Sequence, residues 1–416
     1  MSASYRVNMM KALWEASRRE SHYFGPYLYT AHPSDATTCK TRGEQISNTE
    51  FIWDKEAKQV YGQADGTQII DVDDFSKTVG AHFTLDARDE VLAIVQYPKS
   101  LPSEIVWGSI DGSNLLTNTE INVVNGQLRI VGLRGGCQKG KGTHFLWGRA
   151  VTGDSFAAGG ALQVVMSNAS VFTLSNLSTL RTHDQSSRRA GAGVRLWLHD
   201  ESSFSARSID TFVFSGELNV LDSASMNVVA SSIVMEAGDY IVASDPAPSK
   251  KECSFSVKST KKDDGMGVRL SDFLFAGKSL STVSAKCISL SDITVKHRAV
   301  LLVRTDGFDF SCGKTNMITL GAGSSSVSIV PCSEGADSTF NFLDYTQGYP
   351  EGMFNFVNDE GGSASVLKLS CSPEVGQINA MLDRKLLCIN GVPVTCAEEM
   401  SIVINVDVRM ISISNK

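Results

Sequence analysis

One rhythm constrains this chain more than any other feature. A short run of alternating apolar residues meets a turn of small residues, and a second run follows. Six stretches show it: "LQVVMSNASVFTL" (162–174), "VRLWLHDESSFSA" (194–206), "LNVLDSASMNVVA" (218–230), "LSTVSAKCISLSDITV" (280–295), "LLVRTDGFDFSC" (301–312) and "VSIVPCSEGADSTFNF" (327–342). Alternation of period two marks strands that bury one face. The first apolar residue after each turn is Val171, Phe204, Met226, Ile288, Phe308 or Phe340, and Phe255 of "CSFSV" falls between Met226 and Ile288. The steps between these landmarks are 33, 22, 29, 33, 20 and 32 residues, the span of solenoid and blade repeats. A unit of about two strands cannot bury its own apolar face, so neighbouring units must stack. "FVFSG" (212–216) and "FLFAG" (273–277) read as a second echo, 61 residues apart. Few helical periods separate the strands, which disfavours strand–helix–strand crossovers and a doubly wound sheet.

The expected fold is therefore all-β, a parallel β-helix or β-solenoid core over 106–345. A mixed α/β region is expected over 1–105 and a small antiparallel β cap over 346–416. β-sandwich or jelly-roll domains are the alternative. Near the start, Val7, Met10, Leu13 and Trp14 fall on one helical face. Pro98 and Pro102 punctuate the first boundary. In the last segment Asn390-Gly391 is a strong hairpin signal. The run "MSIVINVDVRMISIS" (400–414) reads as one regular strand, with Ile402, Ile404, Val406, Val408 and Met410 on one face. Its partner is expected from its own domain or from another subunit.

The strand–turn–strand rhythm, with turns such as "SNAS", "HDES", "DSAS" and "TDGF", resembles the right-handed parallel β-helix superfamily over roughly residues 105 to 345. That superfamily includes pectate-lyase-like enzymes, phage tailspikes and adhesin passenger domains. The resemblance is architectural, and no family catalytic motif accompanies it. It implies a rigid stack displaying loops, and self-association as a trimer.

Bulk properties remove several function classes. Apolar residues make up 42% and charged residues 20%, enough to bury a core. A net charge of −7 argues against a broad nucleic-acid surface. No run reaches the roughly 18 apolar residues of a membrane span. The N-terminal "MSASYRVNMMKALWEASRRE" lacks the apolar core of a secretory signal. Nine cysteines without a C-x-x-C spacing fit synthesis in a reducing cytoplasm, with no disulfide framework or zinc site. The expected location is a virion, or outside the cell after release by lysis or a non-classical route.

The glycine-rich "LRIVGLRGGCQKGKGTHFLWGRA" (128–150) comes within one residue of a phosphate-binding loop. Such a loop needs a hydroxyl in the first turn of a following helix. Gly142 occupies that place, Thr143 comes one residue late, and "HFLWGRAVTGD" has poor helix propensity. The stretch reads instead as the corner where the stack begins, with Leu128, Ile130 and Leu133 buried and Lys139 and Lys141 facing solvent.

Two polar insertions interrupt the repeats. "RTHDQSSRRAGAG" (181–193) holds Arg181, His183, Asp184, Arg188 and Arg189, suited to bidentate pairing with anionic groups. The segment 245–265 holds Lys250, Lys251, Lys258, Lys261 and Lys262, followed by Asp263 and Asp264. Ligand-binding candidates are therefore Arg181, His183, Asp184, Arg188, Arg189, Lys261 and Lys262. Glycoside hydrolysis needs two carboxylates about 5 to 10 Å apart. Asp184, Asp200, Asp222 and Asp239 lie in or beside adjacent repeats and are the catalytic candidates. Trp197, inside an apolar strand, is expected in the core. No metal and no cofactor are expected, since the histidines are scattered and no ladder of ligating acids occurs. The preferred reading is a non-enzymatic recognition protein of tailspike or adhesin type, binding a cell-surface glycan or protein receptor. A polysaccharide lyase or glycoside hydrolase on the same fold is the alternative, and a toxin component or structural subunit the next.

Overall fold

The computed structural model describes residues 162–182, 194–236, 238–244, 252–310, 317–321, 323–333, 338–358 and 363–415, and the strand segments 37–38, 51–54, 59–62, 67–71, 82–95, 103–107, 119–131 and 143–147. Strands dominate, and they pair mostly in parallel, each with a strand of the preceding and of the following repeat. Three ladders result.

Ladder A begins with 82–85 and 119–123. It runs through Leu162–Met166, Val194–Leu198, Gly216–Leu221, Asp239–Ala243, Phe273–Ala276, Ile293–Val295, Ile318–Leu320 and Phe354–Phe356 to Leu387–Ile389. Ladder B runs from Thr67–Asp71 through 91–95, 127–131, 171–175, 203–207 and 225–229. It continues through Ser254–Ser259, Leu280–Ser284, Val300–Arg304 and Ser326–Val330 to Val366–Ser370. Ladder C links Ser103–Trp107, Thr143–Trp147, 179–182, 211–214, 233–235, Val268–Ser271, Cys287–Ser291 and Gly307–Phe308. From the strand 82–85 to Gly307–Phe308 each repeat visits A, then B, then C, and among the described residues the repeats that begin at Ile318 and Phe354 add strands to A and B alone. Sandwich and jelly-roll sheets are antiparallel, so the parallel ladders do not fit those alternatives.

Inward side chains of all three ladders form one core, from Val123 to Ile413. Register brings like residues together at the strand spacing of about 4.8 Å. Phe172 meets Phe204 with ring centroids 5.5 Å apart and Tyr240 meets Phe273 at 4.5 Å. The buried Tyr240 hydroxyl lies within hydrogen-bonding distance of the carbonyls of Phe214 (2.9 Å) and Glu236 (2.8 Å), between which its single proton is shared, and burial pushes its pKa up. Burial also pushes the thiols of Cys253 and Cys371 up to about 12, and Cys253, Cys287, Cys332, Cys371, Cys388 and Cys396 are free.

The A-to-B corner explains the small-residue turns. Asn168, Asp200, Asp222, Gly277 and His297 have φ of 53°, 57°, 58°, 65° and 55° there. Glycine and the short Asx side chains tolerate that left-handed region best. Two residues on, Ser170, Ser202, Ala224, Ser279 and Ala299 are buried, because only a small side chain fits inside the bend. "SNAS", "HDES" and the start of "DSAS" are this one corner, whereas "TDGF" joins B to C.

The repeat landmarks hold in part. Phe204, Met226 and Phe255 are register partners in ladder B. Ile288 and Phe308 pair with one another in ladder C. The spacing shifts because ladder B places Ser281, not an apolar residue, opposite Phe255. The "FVFSG" and "FLFAG" echo is not structural: Phe212 stands in ladder C and Phe273 in ladder A.

Parallel pairing reaches back to Thr67 and forward to Ile389. The expected N-terminal helix lies outside the described residues. Among the described residues there is one α-helix, Val375–Asp383, within a segment expected to hold only strands. The hairpin at Asn390-Gly391 is present, with φ of 52° and 79° joining Leu387–Ile389 to Val392–Pro393. The run 400–414 is two strands rather than one. Met400–Asn405 turns at 406–409 and returns as Met410–Asn415, which pairs antiparallel both with it and with Val366–Ser370. Val406 and Val408 therefore sit in the turn, 67% and 61% exposed.

Candidate functional site

On ladder A the alternation of strand residues sends Val194, Leu196 and Leu198 inward and Arg195 and Trp197 outward. The next strand sends Leu218 and Val220 inward, leaving Glu217 and Asn219 outside. Register then aligns Arg195, Glu217 and Asp239 in one outward column, and Trp197, Asn219 and Ile241 in the next.

Glu217 is the hub. Its Oε1 accepts from the Trp197 indole N–H at 3.1 Å and from the Asn219 side-chain amide at 3.0 Å. Its Oε2 lies 3.3 Å from Nε of Arg195. Three donors from two strands thus fix one carboxylate, whose side chain keeps 23% of its surface exposed beside an Arg195 that keeps 36%. Charge-assisted hydrogen bonds of this kind are the stronger ones and fix orientation. Asn219 is 2% exposed, and its Oδ1 has no hydrogen-bond partner among the described residues. Ile241, Ala243 and Ala276 form a separate small apolar cluster with Leu221 and Leu274 on the same side.

Trp197 is 7% exposed, so it is buried as expected, but outside the main core and with its N–H on a carboxylate. The alternation in "VRLWLH" and "GELNVL" held the signal for this cluster. It needed the 22-residue register that puts Arg195 against Glu217.

Among the acid candidates, Asp200 and Asp222 come together on successive A-to-B corners. Asp200 Oδ2 accepts the backbone N–H of Asn168 at 2.9 Å, and Asp222 Oδ2 accepts that of Asp200 at 3.4 Å. The buried His199 has Nδ1 3.9 Å from Asp222 Oδ2. Asp239 stands apart from that pair, exposed at the head of its strand and in register with Glu217. His183, Asp184, Arg188 and Arg189 lie outside the described residues. Arg181 lies in the strand Val171–Thr182, in register with Val213 and Leu146. Lys261 folds onto its own loop, 3.4 Å from Asp263 and donating to the Met266 carbonyl at 3.5 Å, while Lys262 is exposed. Nearby Lys286 pairs with Asp264 at 3.0 Å.

Thr143, after the glycine-rich loop, begins a strand paired in parallel with Ser103–Trp107. A phosphate loop leads into a helix N-terminus, and here the loop leads into a strand. Among the described residues, no group of three His, Cys, Asp or Glu could hold a metal ion, and no helix is long and apolar enough to cross a membrane. No protein-family model, no curated protein and no solved structure matches this chain.

Proposed function

We propose that ladders A, B and C wind into one β-solenoid, and that this solenoid is a recognition protein binding a cell-surface glycan or receptor on its outer surface. The observation that carries the reading is the Glu217 hub. A partly exposed carboxylate, oriented by Trp197, Asn219 and Arg195 on rigid strands, is a pre-organised acceptor for hydroxyl or amide donors of a ligand. The Arg195 guanidinium beside it offers donors in return. Asp200 and Asp222 each give a carboxylate oxygen to a backbone N–H, which favours an architectural role for that pair over proton transfer.

One observation favours the enzymatic alternative. Glu217 and Asp239 are register partners on the outer side of adjacent strands, about 4.8 Å apart at the backbone. Retaining glycosidases hold their carboxyl groups about 5 to 5.5 Å apart.

A glycan array read in parallel with a reducing-end release assay separates the two. Recognition predicts bound glycan with no release, and weaker binding by Glu217→Gln. Release of sugar ends that is lost in Glu217→Gln and Asp239→Asn would replace recognition with hydrolysis. Silence in both assays removes glycan as the ligand.

A further inference from the structure

The outer side of ladder B carries a surface of another kind. Its outermost column on the side facing ladder C is, in register, Arg207, Val229, Lys258, Ser284, Arg304 and Val330. A cation stands on every second strand, and small uncharged residues fill the gaps. With strands about 4.8 Å apart, successive cations are about 10 Å apart along the stack. Arg207, Lys258 and Arg304 are all exposed, and among the described residues none forms an ion pair. The two columns beside them hold no carboxylate over the same six strands, and the middle one carries the hydroxyl and amide side chains of Asn227, Ser256, Thr282 and Ser328, with the buried Ser205 at its start and Leu302 between Thr282 and Ser328. The nearest acid along the chain from Arg304 is Asp306, whose carboxylate already accepts from Cys332 and Ser333. This stripe of one sign occurs on a chain of net charge −7, so it is a local departure from the average rather than a reflection of it.

We infer that this row is a binding track for a linear anionic polysaccharide carrying one carboxylate or sulfate on every second sugar. The cations would meet its charges, and the neighbouring hydroxyls and amides would meet its sugar hydroxyls. The inference deepens the recognition reading and rests on it for the ligand class. Single-stranded nucleic acid fits less well, because such tracks rely on aromatic platforms for base stacking, and no aromatic residue stands in the three columns. The fixed interval favours a rigid, regularly charged polymer, since every matched contact then forms without distorting either partner.

The test measures binding of the full chain to hyaluronan, which alternates a uronate with a neutral sugar. Dextran serves as the neutral control and an oligo-dT as the nucleic-acid control. The expected result is salt-sensitive binding to hyaluronan, none to dextran and weaker binding to oligo-dT. Arg207→Gln, Lys258→Gln and Arg304→Gln should each weaken binding about threefold, and the triple variant at least about tenfold. All three sites are exposed, so circular dichroism and melting should match the parent. A spacing variant, Arg207→Gln with Val229→Lys, keeps the charge but moves it one strand, and should not restore binding. Unchanged binding by the folded triple variant overturns the inference. Tighter binding to oligo-dT, lost in the triple variant, makes the row a nucleic-acid track and equally overturns it. If Glu217→Gln abolishes hyaluronan binding while the triple variant keeps it, recognition stands and this track falls. If no glycan of any charge binds, both fall.

Discussion

The Oδ2 of Asp200 accepts the backbone N–H of Asn168, 32 residues earlier, at 2.9 Å. One side chain thus ties two successive corners together while its own backbone sits at φ 57°. Asp200→Asn keeps the acceptor and the tolerance for that φ, so its stability should match the parent. Asp200→Ala should cost about 1–2 kcal/mol through the lost hydrogen bond. Asp200→Val should cost more, because a β-branched side chain is strained at positive φ. Thermal or urea unfolding ranks the three, and an Asn variant as weak as the Ala variant would show that charge rather than geometry matters.

Gly277 is demanded by space as well as by conformation. A Cβ at this position would lie 1.9 Å from the Ser244 carbonyl oxygen, at φ +65°. Gly277→Ala should therefore lose several kcal/mol or fail to accumulate in soluble form. Gly307→Ala is the matched control, since a Cβ there meets nothing within 4 Å. Its melting temperature should stay within a degree or two of the parent, about the shift expected of a surface substitution.

Ser281 faces the core fully buried, in register with Phe255 and Leu301, and its hydroxyl has no hydrogen-bond partner among the described residues. Removing an unsatisfied buried hydroxyl should stabilise the fold, so Ser281→Ala is expected to gain about 1 kcal/mol. A loss of stability in urea titration would mean that the hydroxyl has a partner.

Asp306 sets an acid limit on stability. Burial alone pushes its carboxyl up, but hydrogen bonds from the Ser333 hydroxyl, the Ser333 and Cys332 backbone N–H groups and the Cys332 thiol outweigh it and hold the pKa below the usual carboxylate range. The folded state therefore holds this proton more weakly than the unfolded state. Its contribution is complete above the unfolded value near 3.9 and disappears as pH falls through the lower folded value. Asp306→Asn should be less stable than the parent at pH 6, and the gap should close toward pH 2. Unfolding curves across that range test it, and a constant gap would locate the effect elsewhere.

Much of the architecture was legible because alternation and corner chemistry are local. Phe204, Met226 and Phe255 line up as their spacing implied, and Asn390-Gly391 makes the turn that its residues favour. Other features depend on partners far along the chain. The helix Val375–Asp383 is too short to persist on propensity alone. It is held by Gln377, which accepts from the Phe342 N–H at 2.7 Å and donates to Asn341 at 3.1 Å. The split of 400–414 was hidden because Val406 and Val408 continue the alternation through a turn. The Asn405 side chain makes that turn, accepting from the backbone N–H groups of Asp407 and Val408. The outer clusters were hidden for a different reason. Arg195 and Glu217, or Arg207, Lys258 and Arg304, become neighbours only when every strand register between them is known.

The returning strand Met410–Asn415 changes what the last rung of ladder B presents. A ladder of parallel strands has no built-in length, since each rung leaves the same row of donors and acceptors for another. Here Ile411 and Ile413 close over the end of the core, and the strand beyond Val366–Ser370 runs the opposite way. Among the described residues, the outermost edge there belongs to Met400–Asn405 and does not repeat the template beneath it. At this end, polymerisation by simple addition of identical rungs has lost its seed.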